Sequence, residues 1–333
     1  MDNLFTDALE QLLIDQCTPD AVRQLEAQPQ ADHPLWLAIE ASGFADALCP
    51  EAQGGAGLAL REAYPLIELC GHYAMPYPLA ETLLGRGLLA ASGLTCPEGA
   101  LAFARASSDD DGVRTAGVRG ARLATAALVS LNGQTRCLPL SQARLDEDVF
   151  ALDARLHWAR TAWDQAPVVK EVADVRPLQA ALYAGLLAGA LLQVFNRTLQ
   201  YANERQQFGK PIGKFQAIQH QLSVMSEHVF ASRMAAQLAF DSAGLQPDLL
   251  RSAIAKARAS EAALEVAAQS HAIHGAIGFT DEYDLQLHTR RLHLWRQTAG
   301  AESYWHDLVG ELTLQHAGMS LDMLRQASDL ATT

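Results

Sequence analysis

The chain has 333 residues, 49% of them apolar and 19% charged, a composition typical of a folded globular protein rather than a disordered one. Its formal net charge is −13, which argues against nucleic-acid binding, because nucleic-acid binders carry a basic excess. An anionic ligand would therefore need a local basic site. The five cysteines form no CxxC pair and no Cys/His cluster, so we expect reduced thiols and no metal site.

The N-terminal part of the chain, residues 1–98, is predicted to be helical. Thr18-Pro19-Asp20 places a capping residue before a proline, as is typical of a helix start. Apolar residues at helical spacing extend from Arg61 to Ser92, after a glycine-rich loop. The acidic N-terminus has no cleavable apolar stretch behind it, so we expect no signal peptide and a cytoplasmic protein.

Residues 99–170 differ in pattern, because β-branched residues and turn signals become frequent. The apolar runs LAFARA, ALVSLN, TRCLPL and DVFALDA predict strands of a small sheet. Surface turns are predicted at Asp109–Gly112 and at Asn132-Gly133.

The remainder, residues 171–333, is predicted to be helical over 178–204, 215–243, 247–273 and about 302–330. The chain should therefore be mainly α with a small β insertion: an N-terminal helical domain (1–98), a middle β-domain (99–170) and a C-terminal four-helix bundle (171–333). No charge occurs between Arg176 and Arg197, a length close to that of a membrane span. The glutamines, alanines and glycines of this stretch favour a helix buried in a bundle, without a membrane.

The most informative segment is Tyr201–His220, YANERQQFGKPIGKFQAIQH, which predicts a helix end, a tight turn and a new helix start. Arg205, Lys210 and Lys214 gather positive charge beside Phe208, and the backbone N–H groups of the new helix add partial positive charge. This combination suits a pyrophosphate with an aromatic ring nearby. The alternative is a solvated corner between two helices.

The string RQQFGKPIGKFQAIQ resembles the R-x-x-F-G-x-x-I-x-x-F-Q motif of the acyl-CoA dehydrogenase family. PEAQGGAGLALREAYPLIELCG with PYPLAETLL is similar to the family's N-terminal helical segment, and IHGAIGFTDEYDLQLHTRR to its G-G-x-G-[FY] region. The resemblance implies FAD as cofactor, held across a subunit interface. Glycine in the second region would let a backbone approach the cofactor closely. The FAD-contacting positions implied are Arg205, Gln207, Phe208, Gln216, Gly275 and Gly278.

In that family a carboxylate removes the α-proton of an acyl-CoA and the β-hydrogen leaves as hydride to the flavin, giving a Cα=Cβ double bond. The base is the Glu of a Y-E-G-T motif, which falls on residues 298–301 here, so that Ala299 stands at the base position. A less common base position falls on Gln179, and a common active-site Arg on Ala180. Glu302 is the nearest carboxylate and a weak candidate for the base, but we favour its interpretation as an acid at a helix start.

The family's flavin-ring motifs, T-E-x-x-x-G-S/T-D and W-I-[ST], do not occur between Leu101 and Lys170. The chain thus resembles the short subunit of heteromeric acyl-CoA dehydrogenases of bacterial steroid degradation. That resemblance implies a homologous partner subunit in an α2β2 heterotetramer, electron-transfer flavoprotein as acceptor, and a bulky, steroid-derived acyl-CoA substrate. The alternatives are a stand-alone dehydrogenase with an unusual base and an inactive scaffold that binds a dehydrogenase.

Overall fold

The computed structural model describes residues 2–242 and 244–328. The helices are α1 (Asp2–Gln16), α2 (Pro19–Ala27), α3 (Pro34–Ala41), α4 (Leu60–His72), α5 (Leu79–Ala91), α6 (Arg160–Gln165), α7 (Arg176–Glu204), α8 (Gln216–Phe240), α9 (Leu249–His274), α10 (Leu285–Gln297), α11 (Glu302–Gln315) and α12 (Ser320–Ser328). The strands are β1 (Ala100–Asp109), β2 (Gly112–Val118), β3 (Ala124–Leu131), β4 (Gln134–Pro139), β5 (Arg144–Glu147), β6 (Ala154–Trp158), β7 (Val168–Val169), β8 (Gln206–Gln207) and β9 (Lys210–Pro211). The predicted fold class, mainly α with a small β insertion, is confirmed.

Local signals fixed some helix boundaries and missed others. The predicted start of α2 is confirmed, since the Thr18 hydroxyl accepts a hydrogen bond from the Ala21 N–H at 3.3 Å. The stretch from Arg61 to Ser92, with its apolar residues at helical spacing, forms two helices, α4 and α5, and Pro76 and Pro78 lie in the connection between them.

The seven-stranded sheet has the order β5-β6-β2-β1-β3-β4-β7, in which β1 and β3 are parallel and the other neighbours antiparallel. Three of the predicted strand runs are confirmed as β1, β3 and β4. Both predicted turns are confirmed as the connections of the β1–β2 and β3–β4 hairpins.

The strand predicted over DVFALDA is wrong, because most of that run lies in turns and β6 begins only at its last residue, Ala154. Asp153 explains the difference. Its buried carboxylate accepts hydrogen bonds from the Gly120 N–H at 2.9 Å and from Arg119, contacts that hold it in a loop.

The described chain forms two compact units. One comprises residues 2–66, 75–179 and 244–246, and contains α1 to α3 and the sheet. The other comprises residues 67–74, 180–242 and 247–328, and contains α8 to α12. The division of the sequence into three domains stays a prediction.

Helix α7 corresponds to the uncharged stretch noted in the sequence. By length and composition it could cross a membrane, but 83% of its most apolar window is buried within the chain. A Cβ on Gly189 would lie 1.9 Å from the Glu68 carbonyl oxygen, and one on Gly71 would lie 2.0 Å from that of Leu186. The backbones of α7 and the end of α4 therefore touch directly, which only glycine permits.

The helices predicted in the C-terminal part correspond to α7, α8 and α9, apart from Ala243, which lies outside the described residues. The last predicted helix, 302–330, is two helices within the described residues, because the chain leaves helical geometry between α11 and α12; 329 and 330 lie outside them. The sequence analysis did not predict helix α10.

Candidate functional site

The segment from Tyr201 to Gln216, here called the cationic corner, connects α7 to α8 through a small hairpin. Strands β8 and β9 pair Gln207 with Lys210, which leaves Phe208 and Gly209 as a two-residue loop. Both loop residues have positive φ, +52° and +77°, as a type I′ turn requires. Gly209 adopts this conformation freely, whereas Phe208 does so at a cost of about 1 kcal/mol.

The cationic corner presents its functional groups outward. Phe208 is 91% exposed, and Arg205, Gln207 and Gln216 are exposed as well. Among the described residues, the Arg205 guanidinium has no hydrogen-bond or ion-pair partner. An exposed aromatic ring held in a strained conformation beside an unpaired cation is a surface expected to be covered by a ligand or another chain.

Two contacts stiffen the cationic corner from within. The Lys210 ammonium lies 4.4 Å from the centroid of the Phe215 ring, a cation–π contact. The Phe208 ring meets Phe215 edge-on at 6.2 Å. The hairpin is thus held in place while its tip stays open.

The cationic corner packs against the segment that follows α9. The Tyr201 ring stacks on His274 at 4.4 Å, and the Tyr201 hydroxyl donates to the His274 carbonyl at 3.4 Å. Burial lowers the pKa of His274. Its Nδ1 donates to the Ser270 carbonyl at 2.8 Å, and its Nε2 lies 3.2 Å from the Tyr283 hydroxyl oxygen. The structure therefore brings together the two segments that the sequence singled out.

The two glycines of the second segment have different environments. Gly275 is exposed with φ +65°, and no atom would lie within 4 Å of a Cβ there, so its backbone is open to close approach. Gly278 is buried, and a Cβ there would lie 3.1 Å from the His274 Cβ, so packing inside the chain already explains it. Phe279, 68% exposed and stacked on His271 at 4.2 Å, adds an exposed ring that sequence reasoning missed.

Residues Thr298–Ala301, here called the base loop, connect α10 to α11. Ala299 has φ +62° and packs against the buried cluster formed by Ala180, Ala253, Ala257 and Trp305. Trp305 is only 1% exposed. The two positions where the family resemblance placed a base and an arginine, Ala299 and Ala180, thus share one apolar cluster.

Lys256 on α9 hydrogen-bonds to the base loop, a role that the sequence did not suggest. Its fully buried ammonium donates to the Ser260 hydroxyl (2.9 Å) and to the carbonyls of Arg296 (2.8 Å) and Gly300 (3.1 Å). The Gly300 carbonyl also accepts from the Trp305 indole N–H at 3.2 Å. Burial lowers the pKa of Lys256 to about 7. The only sequence signal is its place among small residues on one helix face.

Glu302, the nearest carboxylate to Ala299, is engaged by Arg296. Burial acts to raise its pKa, but hydrogen bonds from its own N–H and from Arg296, together with the charges of Arg296 and Lys256, outweigh this and lower the pKa. A carboxylate held in the ionised form by an arginine is a weak proton acceptor.

Gln179 and the tryptophans of the β region have structural roles. The buried Gln179 amide donates to the Glu81 carboxylate and to the Phe103 carbonyl, both at 3.1 Å. Trp158 is fully buried and donates to the Pro139 carbonyl at 3.0 Å, and Trp163 packs under Arg136. These two rings lie in the core of the unit that contains the sheet.

Comparisons with known proteins identify similar chains. Residues 175–312 match the family described as acyl-CoA dehydrogenase, C-terminal domain. The acyl-CoA dehydrogenase IpdE2 of Mycobacterium tuberculosis is 29% identical over 299 residues, which cover 87% of this chain and 90% of IpdE2.

Solved structures show the fold. A variant of the Tcur3481-Tcur3483 steroid ACAD superposes with a TM-score of 0.82 at 24% identity, covering 94% of this chain and 98% of that chain. The ChsE4-ChsE5 complex from Mycobacterium tuberculosis has a TM-score of 0.75 at 19% identity, covering 95% of this chain and 98% of that chain.

Proposed function

Because residues 175–312 match the acyl-CoA dehydrogenase family, we propose that the chain is one subunit of an FAD-dependent enzyme that introduces a Cα=Cβ double bond into an acyl-CoA thioester. In this proposal the chain completes the flavin site of a homologous partner subunit. One observation carries it: the FAD motif presents Arg205 and Phe208 outward, while the base position of the same chain is Ala299.

The residues of the cationic corner fit the tail of FAD. The Arg205 guanidinium, which no described residue engages, suits the paired oxygens of a pyrophosphate. Gln207 and Gln216 can donate hydrogen bonds from exposed amides, and Phe208 offers a ring face. Among the described residues no side chain caps the start of α8, so the N–H groups of its first two residues can donate to an anion. When bound, FAD would supply the hydride acceptor.

Proton removal is assigned to the partner subunit. Ala299 and Gln179 cannot accept a proton, and Glu302 is paired with Arg296. The space around Ala299 is filled by alanines and Trp305. We therefore expect this chain to hold the cofactor and the partner to provide the carboxylate that takes the α-proton.

The relatives support a heteromeric assembly acting on a steroid-derived acyl-CoA. Both solved structures are named for two different chains, and one is a steroid ACAD. We propose an α2β2 heterotetramer in the cytoplasm, with electron-transfer flavoprotein as the acceptor of the electrons.

The experiment is purification of the tagged full-length chain from its native host, with mass spectrometry of the chains that accompany it and a visible absorption spectrum. We expect a homologous chain with an intact flavin loop and Glu base, and a flavin spectrum only in the complex. The incomplete-subunit proposal is wrong if the chain alone binds stoichiometric FAD and oxidises acyl-CoA.

A further inference from the structure

The three cations of the cationic corner have different surroundings. Among the described residues, neither the Arg205 guanidinium nor the Lys214 ammonium has a hydrogen bond, an ion pair or a ring contact. The Lys210 ammonium, in contrast, lies over the Phe215 ring, 4.4 Å from its centroid. Two of the cations are therefore available to an anion, while the third is already engaged within the chain.

Phe215 is a fixed point of the cationic corner. It is the N-cap residue of α8; its N–H donates to the Ile212 carbonyl at 3.0 Å, and its carbonyl accepts from the Ile218 N–H at 3.1 Å. The turn before it lies against the end of α7, because a Cβ on Gly213 would lie 3.1 Å from the Ala202 carbonyl oxygen. The backbone that carries the Phe215 ring is thus tied to both α7 and α8.

The hairpin that carries Phe208 is held less firmly by its own structure. Its strands, β8 and β9, have two residues each, and an isolated hairpin of this size is at best marginally stable in water. Phe208 also has a positive φ, which disfavours the turn. The tip therefore needs contacts outside the hairpin to keep one orientation.

The Phe215 ring contacts the hairpin on both sides of its tip. Lys210 lies over the ring, and the Phe208 ring meets it edge-on with the centroids 6.2 Å apart. These two residues flank Gly209, so one ring holds both sides of the loop. A Phe208 side chain that is already ordered loses less conformational entropy when a ligand contacts it.

We propose that Lys210 is a positioning residue, which holds Phe208 in the orientation that receives the cofactor and does so through the Phe215 ring. This role rests on the proposed function, because FAD is the cofactor that Phe208 would contact. Two roles thus lie within one charged segment: Arg205 pairs with the anion, and Lys210 orders the aromatic ring beside it.

The first measurement tests the ring contact without flavin. Labelling with [ε-13C]lysine gives the full-length chain one ε-methylene signal for each of Lys170, Lys210, Lys214 and Lys256. The signals that disappear in Lys210→Met and in Lys214→Met assign these two residues. Because a ring face shields the nuclei above it, we expect the Lys210 signal upfield of the Lys214 signal, and we expect it to move downfield in Phe215→Leu.

The second measurement is a double-mutant cycle on the FAD affinity of the native complex, stripped of flavin and titrated with FAD while flavin fluorescence is followed. Lys210→Met should lower the affinity about two- to fivefold, the size of an exposed cation–π contact. In the Phe215→Leu background the same change should have no further effect, because the ring is already absent. Lys210→Arg keeps a cation over the ring and should bind FAD as the wild type does.

Lys214→Met is the matched control, because it removes a charge from the same segment but no ring contact. Its effect on FAD affinity should be the same in the wild type and in Phe215→Leu. If the effect of Lys210→Met is likewise equal in both backgrounds, Lys210 contacts the phosphates directly and the proposal is wrong.

Two other results would also overturn the role of Lys210. A Lys210 signal that does not move between the wild type and Phe215→Leu would show that the ring contact is absent in solution. A wild-type complex that binds no FAD would remove the proposed function, and the role of Lys210 with it. Weaker FAD binding by Arg205→Ala, found together with an unmoved Lys210 signal or equal effects in both backgrounds, would reject only the role of Lys210.

Discussion

The cationic corner and the base loop lie in the same unit but use their polar groups in opposite ways. In the cationic corner, the Arg205 guanidinium has no partner among the described residues, and Phe208 is exposed in a strained conformation. In the base loop, the Gly300 carbonyl accepts from both Lys256 and Trp305. The Arg296 carbonyl before it accepts from both Lys256 and Ser260. Unmet hydrogen-bonding capacity and exposed rings point to something outside the chain, whereas doubly satisfied groups serve the chain itself.

This contrast explains how the chain can keep one motif and lack another. A cofactor contact made from the outer surface depends on a few exposed side chains at a turn. A catalytic base depends on a cavity beside it, and here alanines and Trp305 fill that space.

The largest expected effect is that of Arg205→Ala in the native complex. Loss of a charge-assisted hydrogen bond to a phosphate corresponds to about 1.5–3 kcal/mol, a decrease in FAD affinity of about 10- to 100-fold. Flavin content after gel filtration measures it. Arg160→Ala, an exposed arginine of the other unit, is the matched control and should retain flavin. Flavin occupancy unchanged in Arg205→Ala would instead favour the inactive scaffold.

Ala299→Glu tests whether the base loop still accepts a carboxylate. The new side chain would enter an apolar cluster, so we expect a loss of about 2–3 kcal/mol of unfolding free energy and no dehydrogenase activity from the chain alone. Urea denaturation and a dye-reduction assay measure the two effects. Ala299→Gly, which tolerates φ +62°, is the control and should remain close to wild type in stability. Activity gained by Ala299→Glu alone would show that the site is merely missing its base.

The pH dependence of stability tests the buried cation beneath the base loop. The pKa of Lys256 is about 7 in the folded state against its usual 10.5, so the unfolded chain binds a proton that the folded chain lacks between these values. Stability should therefore rise with pH in that window, by about 2 kcal/mol from pH 7 to pH 9. Lys256→Met should lose this rise. Urea titrations of the wild type and of Lys256→Met at each pH give their free energies of unfolding. Parallel pH profiles for the two proteins would contradict the prediction.

Phe208→Asn should separate the stability of the chain from its role in the cationic corner. Asparagine tolerates positive φ, so the isolated chain should gain up to about 1 kcal/mol, while flavin retention by the complex falls. Thermal melts of the chain and flavin content of the complex measure the two effects. If chain stability and flavin retention change in the same direction, the Phe208 ring acts only on the stability of the chain.

The smallest expected effect is that of Glu302→Gln. Its ion pair with Arg296 is partly exposed, so we expect a loss of less than about 1 kcal/mol and unchanged activity of the complex. Steady-state assay of the complex checks this. A loss of turnover with a shifted pH profile would identify Glu302 as the base and revive the stand-alone enzyme.

Local patterns predicted the elements whose causes are local. Thr18-Pro19 marked a helix start, and Asn132-Gly133 marked a hairpin turn, because capping and positive φ are properties of single residues. The run DVFALDA misled, since Asp153 is held in a loop by partners about thirty residues earlier. The break between α4 and α5 also has a local signal, because Pro76 and Pro78 lie within it.

The sequence by itself determined the mainly helical class, the exposed turn at Phe208-Gly209 and the absence of a carboxylate at position 299, because each depends on residue type and spacing. Only the tertiary structure decided that Lys256 hydrogen-bonds the base loop and that His274 joins the two segments. Those contacts join residues far apart in the chain, and no local propensity encodes which distant side chains share a buried site.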